Sequence, residues 1–171
     1  MSEETELMEN ENKRRPGFLT TLCVLSFISI GLGILSGLFN LIAGPSTEDQ
    51  MLDQRVELTK SVSQLKNTGM HSLADLMDKI QLMSEDINNN FYLASFLNLV
   101  ILLAGLFGVI KMLKGYKVGF HIYILYCLLS IGSMYAYVAA AHIPTLVIVV
   151  NLLISGLFIL LYSRNLKWMT K

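Results

Sequence analysis

Four long stretches of this chain contain no Asp, Glu, Lys or Arg, and nothing else constrains its fold as strongly. They run over residues 17–43, 91–110, 118–141 and 143–163. A helix needs about 20 predominantly apolar residues to cross the hydrocarbon core of a bilayer. Inside lipid the chain must also satisfy its own backbone N–H and C=O groups. The runs are continuous rather than alternating, which selects helices over barrel strands. The sequence therefore predicts an all-α fold, an integral membrane four-helix bundle with spans at about 17–43, 91–112, 118–141 and 143–163. Composition agrees: 53% of the residues are hydrophobic and 15% charged, where a soluble domain carries about a quarter charged. The first run is too long for a signal-peptide core of roughly 7–15 residues, so it is read as a span of the mature chain.

The basic residues give an orientation. Lys13, Arg14 and Arg15 precede the first span, Lys111, Lys114 and Lys117 lie between the second and third, and Arg164, Lys167 and Lys171 follow the fourth. All nine fall on one side of a four-pass topology. The positive-inside rule then predicts a multi-pass protein of the cell inner membrane with both termini cytoplasmic. Tyr116, Tyr162 and Trp168 are expected at the inner interface, Phe91 and Tyr92 at the outer. Residues 1–16 carry Glu3, Glu4, Glu6, Glu9 and Glu11 with little apolar content, the signature of a disordered acidic cytoplasmic tail. No basic stripe with interleaved aromatics points to nucleic acid.

Residues 44–90 are the one sizeable hydrophilic segment between spans, and eight of them are acidic. Ser46 is a candidate N-cap, followed by acidic residues in the first turn. Asn67 and Gly69 interrupt the pattern, and Ser72 with Asp75 predicts a second cap. Leu73, Leu76, Met77, Ile80, Met83 and Ile87 then recur at three- and four-residue spacing, a clean amphipathic stripe. The segment 46–90 reads as an extracytoplasmic helical hairpin, or cap, whose apolar face is covered by its own partner helix and the tops of the spans, or by another protein or a second copy of this one. Met70 and His71 beside Met77 and Met83 raise a soft-metal reading. They share the stripe's spacing without a dense cluster, so no metal or other cofactor is expected.

Catalytic signatures are missing. The chain has no His-Glu-x-x-His, Gly-x-Ser-x-Gly or phosphate loop. No span carries the acidic or basic groups that mark proton and ion paths, and an enzyme is not expected. His121 and His142 read as interfacial polar groups, Cys23 and Cys127 as small packing residues.

The spans do carry packing chemistry, because helices in lipid meet through small residues. Ser29, Gly33 and Gly37 recur every four residues in the first span. Ala104 and Gly108 share that spacing in the second, Gly132, Ala136 and Ala140 in the third, Asn151 and Ser155 in the fourth. Asn98 and Asn151 enter their spans to similar depth. Exposure of an amide to hydrocarbon is costly, so the two are expected to share a buried polar cluster, directly or through Ser133 or Tyr135. The alternative is that each bonds its own helix backbone.

The segment "RPGFLTTLCVLSFISIGLGILSGLFNLIAG" resembles the start of small, uncharacterised four-pass bacterial inner-membrane proteins, and the whole chain matches that layout. The resemblance implies the topology and no activity. A relation to claudins is excluded, since the loop after the first span lacks their Trp and Cys residues. The functional expectation is a non-enzymatic membrane interaction or accessory protein, surrounded by lipid, whose cap contacts a membrane protein partner or a second copy. The alternative is a small channel or carrier for an uncharged or lipid-like solute.

Overall fold

A computed structural model describes residues 16–169, which are helical with no strand. In chain order the helices are α1 (Gly17–Ala43), α2 (Glu48–Asn67), α3 (His71–Asn89), α4 (Phe91–Leu113), α5 (Lys117–Gly132), the single turn α6 (Met134–Tyr137) and α7 (Thr145–Ser163). A 3-10 turn at Ala140–His142 precedes α7. The helices α1, α4, α5 continued by α6, and α7 are each long and apolar enough to cross a membrane. The acidic tail, with Lys13, Arg14 and Arg15, lies outside the described residues except for Pro16.

Along the bundle α1 packs on α4, α4 on α5, and α5 on α7, with a smaller contact returning α7 to α1. The tightest crossing is α4 against α5. A Cβ built on Gly119 would lie 2.5 Å from Met112 N and 2.6 Å from Gly108 O, so the two backbones touch there. One turn further along, Gly105 leaves room for the Tyr126 ring, whose carbons would stand 2.7–2.9 Å from a Cβ. The turn joining the two helices needs Gly115, at φ +82°. There Trp168 comes back over the turn, 3.4 Å from where a Cβ would sit.

The core is concentrated where α1 begins, α4 ends, α5 begins and α7 ends. Leu19, Cys23, Val109, Met112, Tyr162 and Met169 are fully buried in it. Tyr162, expected near the inner interface, is fully buried among the helices close to the end of α7. Its hydroxyl pairs with Ser26 Oγ at 2.8 Å, which satisfies both polar groups without water.

Helices α2 and α3 form the hairpin between the first two long helices, pairing antiparallel around Gly69 at φ +78°. The N-cap of α2 is Thr47, one residue after the expected Ser46. Thr47 and Gln50 close a capping box, while Ser46 exchanges two hydrogen bonds with the Asn88 amide. Helix α3 starts at His71 without the side-chain cap expected of Ser72. Arg55–Glu85 at 2.7 Å and Lys66–Asp78 at 3.2 Å bridge the two helices.

The third long helix departs from the expected 118–141. Regular helix ends at Gly132, one turn follows to Tyr137, and Val138 and Ala139 are extended. Pro144 at the start of α7 has no N–H to continue a ladder, and Asp86 takes the Ala139 N–H at 2.9 Å. The connector 138–144 is therefore built into the structure, with Val138 and Ile143 each 3% exposed.

Candidate functional site

Two regions carry polar or exposed groups in arrangements that packing alone does not require. The first is a cleft of about 200 Å³ enclosed by α1, α5 and α7 about midway along the bundle. Helix α1 supplies Ser26 and Ser29, α5 supplies Tyr123, Tyr126 and Ser130, and α7 supplies Asn151 and Ser155. The offsets within each helix are three, four or seven residues, so each set occupies one helical face. Ile30, Ile154 and Phe158 complete the lining with Cys127, and no charged side chain contributes. The Ser26–Tyr162 hydrogen bond and the core beyond it close the cleft at one end. Asn151 donates one amide N–H to Val147 O at 2.9 Å. Its amide oxygen and second N–H remain available.

The second region is the cap. None of the six stripe residues is fully buried: Leu73 and Ile80 are 44% and 40% exposed, and Leu76, Met77, Met83 and Ile87 are half-buried. In α3 only Ala74 is enclosed, because α2 covers part of the face and leaves the rest. Beside it runs a wide, shallow groove in which Leu73 and Leu76 face Pro144 and Leu146 of the α7 start, with Lys79 and Asp75 at its border.

A polar latch holds α3 to the connector below this groove. Asp86 Oδ2 accepts from Ala139 N at 2.9 Å and from His142 Nδ1 at 2.7 Å. The carboxylate can only accept, which assigns the Nδ1 proton to the imidazole. The Ala139 amide, then the His142 hydrogen bond and charge, hold the Asp86 carboxyl below its ordinary value against the opposing effect of burial. One turn on, Asn90 Nδ2 donates to Tyr137 O and to Asp86 O, both at 3.0 Å.

Several residues singled out in the sequence are not where their spacing put them. The cluster of Asn98, Asn151, Ser133 and Tyr135 does not form. Asn98 is exposed, Asn151 bonds its own helix, Ser133 Oγ donates to Ser130 O at 3.3 Å, and Tyr135 is 50% exposed. Asn98 shares the face of Ala94 and Ile101, both buried. The antiparallel register of Gly108 with Gly119 and Gly105 with Tyr126 brings Asn98 level with the end of α5, where no regular helix is left to cover it. The small-residue stripe of the third span likewise fails as a seam. Gly132 has nothing within 4 Å of a built Cβ, Ala136 is exposed, and the break between them takes them off a common helix. In the first span Gly33 and Gly37 face Leu102 and Leu99 of α4, at 3.2 Å and 3.8 Å from a built Cβ. Ser29 of that stripe is exposed into the cleft instead.

The sequence reading missed Ser26, Tyr123, Tyr126 and Ser130 in the cleft, and Asp86 and Asn90 in the latch. The cleft had a signal, the three- and four-residue spacing of hydroxyls in two spans. The latch had little, since two of its partners are backbone atoms of Tyr137 and Ala139, expected to be helical, and the third is the ring of His142, read as an interfacial polar group. Among the described residues no group of three His, Cys, Asp or Glu side chains is placed to hold a metal ion. No family model matches this chain, and neither does any curated protein or solved structure.

Proposed function

We propose that the protein is a non-enzymatic, four-pass inner-membrane protein of bacterial type that acts as an interaction or accessory protein through its cap. The observation that carries this reading is the α3 stripe. Leu73 and Ile80 remain uncovered, and the groove between α3 and the α7 start is apolar and unfilled. An amphipathic helix laid into an apolar groove is a common mode of recognition. The partner is a protein presenting an apolar helical face, with acidic and basic groups available to meet Lys79 and Asp75. Both termini are cytoplasmic in this reading and the hairpin extracytoplasmic. Supporting that orientation, Lys114, Lys117, Arg164 and Lys167 are exposed at one end of the bundle, and Lys111 lies over the rings of Phe107 and Tyr116 at the same end.

The test is site-specific photocrosslinking in intact cells, with a photoreactive side chain at position 73 or 80 and, as control, at Glu57 on the polar side of α2. Docking gives one adduct of defined mass from 73 and 80, none from 57, and its loss when Leu76→Asp is added. Identical adduct patterns from all three positions, or adducts indifferent to Leu76→Asp, overturn the reading. An adduct of twice the chain mass identifies a second copy as the partner. Orientation is tested separately. A cysteine at Thr68 reacts with an impermeant thiol reagent on spheroplasts and one at Gly115 does not; the reverse pattern overturns it. A second reading, a channel or carrier for an uncharged or lipid-like solute, is favoured by the hydroxyl-lined cleft. In that case the Ser26–Tyr162 floor has to open during transport.

A further inference from the structure

The polar cleft asks for a ligand of a definite kind. Seven of its lining residues are hydroxyl-bearing or amide side chains drawn from three helices, and none of the lining side chains is charged near neutral pH. A charged ligand would have no counter-charge there, and an unpaired ion in such surroundings is costly. Ser26 is already paired with Tyr162, but an apolar ligand would leave the Ser29 and Ser130 hydroxyls and the remaining Asn151 amide atoms without partners. What fits is a neutral group that donates and accepts in several directions at once. Serine and tyrosine hydroxyls each do both, and the free amide atoms of Asn151 add an acceptor and a donor. The volume, about 200 Å³, holds several waters or one short polyol. The apolar members of the wall, Ile30, Ile154 and Phe158, suit a carbon backbone or the first carbons of a chain attached to it.

We propose that this cleft binds a glyceryl group, a neutral three-carbon polyol unit, supplied either as free glycerol or as the headgroup of an acylglycerol. Asn151 at the cap-side end and Ser26 at the floor define the two limits of the site. Ser29 and Ser130 face the group from opposite helices. The inference concerns occupancy, and it stands independently of the docking and transport readings.

The experiment uses the full chain reconstituted in lipid nanodiscs. Binding of radiolabelled glycerol and of radiolabelled 2-oleoylglycerol is measured at equilibrium, each alone and each in competition with the other. Saturable binding of at least one probe is expected. A Ser130→Ala change weakens it about fivefold, the loss of one neutral hydrogen bond. Asn151→Leu weakens it tenfold or more by also filling the site. Asn98→Leu, which alters an exposed amide outside the cleft, leaves it unchanged. Competition by free glycerol assigns the site to the polyol itself, and binding of the acylglycerol alone assigns it to a lipid headgroup. Folding of each variant is followed by helical circular dichroism and thermal unfolding, and if Asn151→Leu does not fold, Ser130→Ala decides. Absence of saturable binding by either probe to the unmodified protein overturns the proposal. So does a folded Ser130→Ala or Asn151→Leu variant that binds as the parent does.

Discussion

The two ends of the bundle are held by different physics. At the end where α1 begins and α7 ends, four helices converge on a filled core, with Leu19, Val109, Met112, Tyr162 and Met169 at zero exposure. At the cap end α1 still meets α4, with Gly37 facing Leu99, but no such filled core forms. There α7 is largely uncovered, α5 stops short, and the connection is made by Asp86, which accepts from Ala139 N, and by Asn90, which donates to Tyr137 O. A core is lost as a unit when its closest backbone contact is forced apart. A latch can open with the rest intact. The difference suggests a rigid base carrying a separable, adjustable top, the arrangement expected when the top meets something else.

The largest expected effect comes from attacking the base. Gly119→Leu places a branched side chain where backbone atoms of Met112 and Gly108 already stand at 2.5–2.6 Å from a Cβ. Backbone cannot rotate away as a side chain can. The variant is expected to lose about 3 kcal/mol or more, at the top of the range for overpacking, and to show it as a large fall in thermal unfolding temperature in detergent. A wild-type melting curve would show that the α4–α5 crossing does not govern the base.

The next effect is on the latch. Asp86→Ala removes the acceptor for Ala139 N and His142 Nδ1, and the loss of bonds to a charged group costs about 1.5–3 kcal/mol, reduced here by partial solvent contact. The cost is expected to stay local. Hydrogen exchange should rise across residues 138–144 while α4 and α5 near Gly108 and Gly119 remain protected. Uniform acceleration would mean that cap and base unfold together and would remove the contrast. Acid gives an independent approach to the same bond. The Asp86 carboxyl is held below its ordinary 3.8. Its contribution is therefore complete above that value and is lost as pH falls through the lower folded value. In a His142→Gln variant, which removes the neighbouring titratable ring, the Ala139 amide resonance should stay constant from neutral pH to about pH 4 and move only below it. An amide shift already titrating above pH 5 would refute the assignment.

These differences also show what the sequence could disclose. Long uncharged runs report burial in lipid or protein directly, so the span at Gly17–Ala43 and the ends near Phe91 and Ser163 were readable to within a residue or two. The amphipathic hairpin was readable because its period is that of a helix. The end of α5 at Gly132 was not, since the connector after it is as apolar as a helix interior and owes its shape to Asp86, more than 50 residues away in sequence. The cleft was half legible. Asn151 and Ser155 stood out by their spacing, while nothing in the sequence marked Tyr123 and Tyr126, which gain their polar neighbours only once α1 and α7 lie beside α5.

A smaller effect separates the two kinds of glycine contact. Gly33 faces the flexible tip of Leu102, whose methyls would lie 3.2–3.3 Å from a Cβ. Gly33→Leu should therefore cost about 1 kcal/mol, the low end of overpacking, well below Gly119→Leu and above Leu32→Ala, where the side chain replaced is 62% exposed. Unfolding in detergent ranks the three. Equal losses at Gly33 and Gly119 would mean that α1–α4 is as tightly fixed as α4–α5.

Gly132 gives the smallest effect and the sharpest test of reading packing from spacing. It shares the four-residue interval with Ala136 that marks helix contacts in lipid, yet nothing lies within 4 Å of a Cβ built there, and its φ is not in the left-handed region. Alanine meets no obstacle on either ground. A glycine in a helix costs about 0.5–1 kcal/mol relative to alanine through the entropy of the unfolded chain. Gly132→Ala is therefore expected to leave the protein unchanged or to stabilise it by up to that amount, most of it reduced because the residue ends its helix. A loss of stability from this one methyl group would mean that a partner helix, from a second copy or another protein, packs against Gly132 in the membrane. The cap end would then be closed by an intermolecular contact, and its openness would belong to the isolated chain alone.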